Sequence, residues 1–295
     1  MKRKQPYLVY LLVSLALLGW NSQAYGNQGE RTILTIDEAL GGRIEQLEID
    51  IGYGFGTITV ERGNPAKAVT GYIEYNADMI RPEVRYEESG NQAHFRLETK
   101  TRREGHGFDL DMDDINEPKS ELYFTTRVPI DLDFACGLGE GRLDLGELKI
   151  SDLKVENGLG DSYFDFSTVN GTECRNIDID NGLGELTVRN LSNSRTREME
   201  FDCGLGSADL DFSGDNRNDM DVEVNVGLGS VTLRIPEDYN VELKAEGSFL
   251  SSVDTHGMVQ INKGLFRTRN FESSRSTLRI TAKVGLGSID IKWID

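Results

Sequence analysis

Cysteine and histidine are scarce in this chain, and each scarcity removes a class of function. Three Cys (Cys136, Cys174, Cys203) leave at least one thiol unpaired and exclude a disulfide framework. Three His (His94, His106, His256) show no metal-ligand spacing, and no Cys pair supports a zinc site. Basic residues are outnumbered, 32 against 50 acidic, giving a formal net charge of −18. Nucleic acid is thereby excluded as a partner, because phosphate neutralisation needs clustered Lys and Arg. Docking on anionic lipid is disfavoured for the same reason. No Gly-x-Ser-x-Gly elbow occurs, and no segment has a sustained helical period.

One long apolar run is present, at the start. Lys2, Arg3 and Lys4 precede an apolar stretch from Tyr7 to Trp20, and Ser22-Gln23-Ala24 follows as a cleavage site. This reads as a secretory signal over residues 1–24. The run is short for a membrane span, which needs about 17–25 residues. An uncleaved anchor is the alternative; no Cys follows to carry a lipid. Loss of Lys2, Arg3 and Lys4 takes the net charge from −18 to about −21. The expected location is periplasmic or extracellular, with no membrane span after cleavage.

Glycine is abundant and ordered. Gly-Leu-Gly recurs at Leu138, Leu159, Leu183, Leu205, Leu228 and Leu286, with an earlier variant, Gly54-Phe55-Gly56. A fixed period of this kind signals a repeat architecture. With the central Leu as zero, apolar residues fall at minus six, minus four and minus two, then at plus three, plus five and plus seven. The copy at Leu205 reads Met199, Phe201, Cys203, then Ala208, Leu210, Phe212. Period two on each side means two strands with one buried face each. The step from zero to plus three breaks parity, so the chain must bend there, and the Leu is expected to point into the core. The gap between Leu228 and Leu286 fits two degraded copies, near Gly247-Ser248-Phe249 and Gly264-Leu265-Phe266.

A single coil cannot bury its own apolar stripe, so coils of about 22 residues must stack, preferably in parallel, with antiparallel pairing of neighbouring units as the alternative. Stacking brings Asn157 and Asn181 together as an internal ladder. Cys136 and Cys203 occupy one position three coils apart, on the order of 14 Å, and cannot bond. The expected fold class is all-β: a repetitive β-solenoid-like stack with an N-terminal β capping module. The domain reading is a linker over 25–45, the N-terminal β module over 46–135, and the Gly-Leu-Gly repeat domain over 136–295. Within the module, Val69–Tyr75, Pro82–Glu87 and Ala93–Leu97 read as strands, the last two as a hairpin.

At this point the chain resembles the toast-rack family, the LiaF-like cell-envelope proteins and adhesin-like proteins. Ile49 to Val69, Gly71-Tyr72-Ile73-Glu74-Tyr75-Asn76 and Arg81 to Glu88 look like the family's N-terminal module. Pro129-Ile130-Asp131-Leu132-Asp133-Phe134 and the Gly-Leu-Gly units look like its repeat body. The resemblance implies an envelope location and, for some members, a part in envelope-stress signalling beside membrane sensors. Those members carry several transmembrane helices ahead of the repeat, where this chain has a signal peptide. The family brings no catalytic residues.

The best candidate site in the sequence is acidic. Asp109, Asp111 and Asp113, with Asp114 and Glu117, alternate like the start of a calcium loop, yet Asp114 stands where that loop needs Gly and Ser120 where it needs Glu. Calcium is therefore a weak candidate, and no other cofactor is expected. Asp215, Asp219 and Asp221 form a second, weaker cluster. The functional expectation is a non-enzymatic structural or protein-interaction module of the envelope, its partner an envelope protein or glycan. A C-terminal edge ending at Trp293-Ile294-Asp295 would be open to strand addition. The alternative is a polysaccharide-binding or adhesive surface protein. A β-helix lyase or hydrolase would need carboxylates and a basic residue converging in one groove, and none is visible.

Overall fold

The structure, a computed structural model, describes residues 31–101, 118–215, 218–247 and 252–295. They form one continuous β-sheet system of stacked, bent coils. Each coil has a leading strand before the glycine corner and a trailing strand after it. In stack order the leading row is Gln92–Thr101, the first half of Gln46–Arg62, the first half of Pro129–Asp144, Lys149–Asn157, Ile177–Asn181, Glu198–Cys203, Met220–Val226, Leu278–Val284 and Val241–Gly247. Every neighbouring pair in it is parallel. A trailing row runs beside it through Asp161–Asp165, Glu185–Arg189, Ser207–Asp211, Ser230–Pro236 and Ser288–Ile294, again parallel. At about 4.8 Å per layer, the nine layers of the leading row span roughly 38 Å.

Register follows the apolar positions. Ile179 lies opposite Phe201, Phe201 opposite Val224, and Val224 opposite Ala282, all buried. A slip of one residue would turn each of these outward, so the pattern fixes the pairing. The two rows face one another across a single core. Phe134 of a leading strand meets Phe164 of a trailing strand edge to face, with centroids 5.7 Å apart. The expected ladder is present inside: Asn157 Nδ2 donates to Asn181 Oδ1 at 2.8 Å and to the Gly160 carbonyl at 2.9 Å. Ser162 Oγ closes it by donating to Asn157 Oδ1 at 2.9 Å. Cys136, Asn157, Asn181 and Cys203 occupy one interior column, in that order.

The corner differs from the expected one. In the Leu205 coil, Phe201 and Cys203 face inward, then Gly206, then Ala208 and Leu210. Parity therefore slips between minus two and plus one, ahead of the Leu, and the Leu points out. The reason lies in the second glycine. A Cβ on Gly160, Gly184, Gly206, Gly229 or Gly287 would run into the carbonyl oxygen of the equivalent glycine one layer away. That inward slot has no room for any side chain. The first glycine is held almost as closely: a Cβ on Gly158, Gly182, Gly204 or Gly227 would lie 2.7–3.1 Å from a carbonyl of the neighbouring corner. Backbone bonds clamp the corners together, with the Leu183, Leu205, Leu228 and Leu286 amides donating to glycine carbonyls at 2.8–2.9 Å. Close approach of backbones sets the motif; positive φ occurs only at Gly56 and Gly139 among these corners.

Both ends of the stack invert the chain order. Gln46–Arg62 precedes Gln92–Thr101 in sequence but lies one layer further in. Leu278–Val284, from the last coil, inserts between Met220–Val226 and Val241–Gly247. At the expected open edge, Trp293 and Ile294 pair on their inner side with Ile235 and Pro236, whereas the outer side of this strand is paired only at Ser288 and Ile289, against Ser252 and Val253, with Trp293 Nε1 donating to the His256 carbonyl at 2.8 Å. Of the two degraded copies, the one near Gly247 is the outermost layer, whereas Leu265–Thr268 belongs to an antiparallel hairpin with Met258–Asn262 that covers it. At the other end Ile80–Ser89 runs antiparallel to Gln92–Thr101, and Lys67–Asn76 to Lys119–Phe124. Residues 31–39, read above as part of a linker, form a strand against Lys67–Asn76. Antiparallel cover of this kind protects edges that would otherwise recruit other chains.

Two substitutions separate the two roles in the motif. Gly184→Ala forces a Cβ against the Gly160 backbone and should cost about 1–3 kcal/mol in urea unfolding. Leu205→Ser removes only an exposed side chain and should stay within about 0.5 kcal/mol. Equal losses would refute this account of the corner.

Candidate functional site

The outward turn of the motif leucines creates the most distinctive surface. Leu138, Leu159, Leu183, Leu205, Leu228 and Leu286 are 42% to 55% exposed and lie in consecutive layers, with half-buried Phe55 continuing the line. Scattered exposed leucines are ordinary; a contiguous apolar strip marks an interaction surface. The ladder is one side chain wide and about 29 Å long at ~4.8 Å per layer. A shallow groove beside it is lined by Leu159, Leu183, Leu205 and Leu228 together with Asp161 and Glu185.

The two outer faces differ in charge. On the trailing face, charges compensate between layers: Arg189 Nη1 lies 3.2 Å from Asp209, and Arg234 Nη2 2.7 Å from the same carboxylate. On the leading face, Lys154 pairs with Glu156 at 2.5 Å and Lys283 with Glu223 at 2.5 Å. Between them Asp178, Asp180, Glu200 and Asp202 form no ion pair among the described residues. Partial burial, and then the neighbouring Asp178 and Asp202 carboxylates, push Asp180 above the usual carboxylate range. Burial followed by Asp202 and Asp178 does the same to Glu200. Asp178 is raised by burial, which Lys154 only partly offsets.

The thiols offer no chemistry. All three are free and buried. Burial pushes Cys136 up to about 11 and Cys174 up to about 12, far from a reactive thiolate. The calcium candidate, Asp109, Asp111 and Asp113, lies outside the described residues, as does His106. In the second acidic cluster, Asp219 Oδ1 accepts the Thr277 amide at 2.9 Å, and Arg279 sits 3.3 Å from Asp219 and 3.5 Å from Asp221, so a cation is already in place. Strand register also assembles a group that spacing along the chain does not reveal. Glu48, Asp50 and His94 bring ligand atoms within 4.8 Å of one another, with His94 Nε2 2.9 Å from Asp50 Oδ2. All three are solvent-accessible, and the imidazole already has a carboxylate partner. A concavity of about 210 Å³ between the outer turns is lined by Ser192, Tyr239, Asp238 and Arg275, and a wider, more open one of about 530 Å³ by His256, Arg269, Arg275 and Trp293.

Comparison with known proteins follows the geometry. The family model for the N-terminal domain of toast_rack, DUF2154, matches residues 25–189, more than half of the chain. The chain belongs to the toast-rack family. A search of curated proteins returned no match. Among solved structures, this toast-rack chain is similar to a candidate cell adhesion protein from Clostridium sporogenes, at 17% identity and a TM-score of 0.46, covering 90% of this chain and 100% of that one. It is also similar to a candidate lipid binding protein from Parabacteroides distasonis, at 10% identity and a TM-score of 0.37, covering 90% and 98%.

The acidic face of the toast-rack stack yields a pH prediction. Asp178 and Asp180 protonate at higher pH in the folded chain than in an unfolded one, so ionising them opposes folding. That opposition is complete at neutral pH and fades as pH falls through their raised values. Asp178→Asn with Asp180→Asn should raise the melting temperature at pH 7, and the gain should shrink on acidification through the carboxylate range. A gain that persists unchanged at low pH would show that charge is not its source.

Proposed function

We propose that this toast-rack protein is an exported, non-enzymatic cell-envelope module that binds another envelope protein along the leucine ladder. The observation that carries this reading is the ladder itself. Leucines at the motif centre contribute nothing to the core, yet they recur in register over six layers of a strongly acidic, otherwise polar surface. Burying such a strip in a partner gains about 25 cal/mol per Å² of apolar area. Export rests on Lys2, Arg3 and Lys4 ahead of the apolar run from Tyr7 to Trp20.

A non-enzymatic role is supported by the chemistry of the described residues. The thiols are buried, with Cys136 and Cys174 pushed far above the range of a reactive thiolate. A glycan-binding role would be favoured by a row of exposed rings on which sugars stack. Tyr163 is the one strongly exposed aromatic side chain among the described residues. Any link to envelope stress would run through the protein held on the ladder.

A photo-crosslinking residue placed at Leu205, with a control at Thr232 on the trailing face, tests the reading in intact cells. The Leu205 probe should join an envelope protein, and the additional changes Leu183→Ser and Leu228→Ser should abolish the adduct. Equal crosslinking from both positions would overturn it. So would retention of the purified chain on envelope glycans with no protein adduct, or release of shortened sugars from them.

A further inference from the structure

We infer that the occupant of the ladder is a cationic amphipathic α-helix, its apolar stripe lying on the leucines and its Lys and Arg residues on the carboxylates either side. The inference rests on the proposed use of the ladder as a binding surface and adds the chemistry of what binds.

Charge is the first support. The position three before each motif Leu and the position two after it both face outward beside the ladder. In the four layers from Leu138 to Leu205 six of these eight positions are acidic, Glu140, Glu156, Asp161, Asp180, Glu185 and Asp202, with Ala135 and Ser207 at the other two. An apolar ridge walled by carboxylates on both sides selects a partner with apolar anchors walled by cations. Towards Leu228 and Leu286 the same positions carry Asn225, Lys283, Ser230 and Ser288, so the attraction is confined to one half of the stack. Burial first, and the neighbouring Asp178 and Asp202 carboxylates second, raise Asp180 and Glu200 there, and a partner's cations would relieve the second of these causes.

Spacing is the second support, and it is independent of charge. Leucines recur every ~4.8 Å along the stack. The apolar stripe of a helix recurs on average every 3.5 residues, or about 5.25 Å at 1.5 Å rise. The drift is about 0.45 Å per step, so four successive leucines stay within about 0.7 Å of register when the match is centred. Alternate side chains of an extended strand recur at about 6.6 Å and lose register within two steps. A second copy of this chain would match the pitch, but its acidic walls would face these. A strip one side chain wide also falls well short of the ~800 Å² per partner of a stable interface. Anionic lipid is repelled by the same walls.

The probe is a synthetic 22-residue Leu/Lys peptide with leucines at every third or fourth position, compared with a scrambled peptide of the same composition and with a Leu/Glu version. Binding to the mature chain is followed by fluorescence anisotropy, and peptide helicity by circular dichroism. The patterned Leu/Lys peptide should bind and gain helix. Leu183→Ser with Leu205→Ser and Leu228→Ser should weaken binding at least tenfold. Glu156→Gln with Asp180→Asn and Asp202→Asn should weaken it several-fold and flatten its salt dependence. The leucine variant changes exposed side chains only and the carboxylate variant exposed or half-buried ones, and a melting temperature no lower than that of the wild type confirms that they remain folded. Equal binding of the scrambled peptide, or no loss in the leucine variant, would overturn the inference in favour of unspecific attraction of polycations. Equal binding of the Leu/Glu peptide would remove the role given to the walls. Self-association of the wild-type chain in sedimentation, broken by Leu205→Ser, would assign the ladder to a second copy. Binding to zwitterionic vesicles, lost in the same variant, would assign it to lipid. A protein adduct at Leu205 without binding of the patterned peptide would leave the proposed function standing and sink this inference alone.

Discussion

Everything in this fold depends on how closely backbones approach at the glycine corner. Layers of a parallel stack are held at about 4.8 Å by their ladder hydrogen bonds, and the corner carbonyls point along the stack at the next coil. An inward residue just past the bend therefore meets a carbonyl where its Cβ would be. Glycine is the only residue that fits, and the same steric demand recurs in every layer. The exposed leucine is the consequence. Once the inward slot after the bend belongs to glycine, the residue before it has nowhere to point but outward. Structure and surface are thus set by one contact: the constraint that makes coils stackable also builds a line of apolar side chains down the outside.

Much of this is legible in the residues. The alternation Met199, Phe201, Cys203 and then Ala208, Leu210, Phe212 gives two half-buried strands, and the near-constant period gives stacking, while the parallel sense of that stacking is seen only in the structure. The interior column of Cys136, Asn157, Asn181 and Cys203 follows from nothing more than equal position in successive coils. The orientation of Leu205 does not follow. A parity break between minus two and plus three can be placed on either side of the Leu without disturbing any other apolar position, and apolar character alone favours the wrong side. Distinguishing the two requires the position of the neighbouring layer's carbonyl, which no single coil contains.

The ends of the stack were hidden for a different reason. Repeats written in sequence order suggest layers in sequence order, yet the coils at 46–62 and 278–289 each lie inside a coil nearer the chain's middle. A layer held between two others has both ladder edges satisfied and both apolar faces covered, whereas a terminal layer has one of each. Moving the coil nearest each end of the described chain inward places the fraying-prone strands where opening costs most. The outer positions fall to coils continuous with antiparallel hairpins, such as Met258–Thr268, which supply their own cover. The grouping of Glu48, Asp50 and His94 was hidden in the same way, since it exists only once Gln46–Arg62 and Gln92–Thr101 are set in register.

Parallel in-register stacking has an electrostatic cost that separates the two faces. Equivalent residues sit one layer apart, so any acidic position shared by successive coils places like charges within about 5 Å. The trailing face avoids this by alternating sign, with Arg189 and Arg234 set against Asp209 and Asp211. The leading face does not: Asp178 sits beside Glu200, and Asp180 beside Asp202, and these carboxylates add to the burial that raises Asp180 and Glu200. Interleaved cations would remove that repulsion, as they do on the other side of the same coils. The unrelieved carboxylates stand next to the exposed leucines, in the same layers and on the same corner. Two features unfavourable to an isolated soluble stack, apolar exposure and like-charge crowding, therefore coincide on one strip, and a partner bearing apolar and cationic groups in parallel lines relieves both at once.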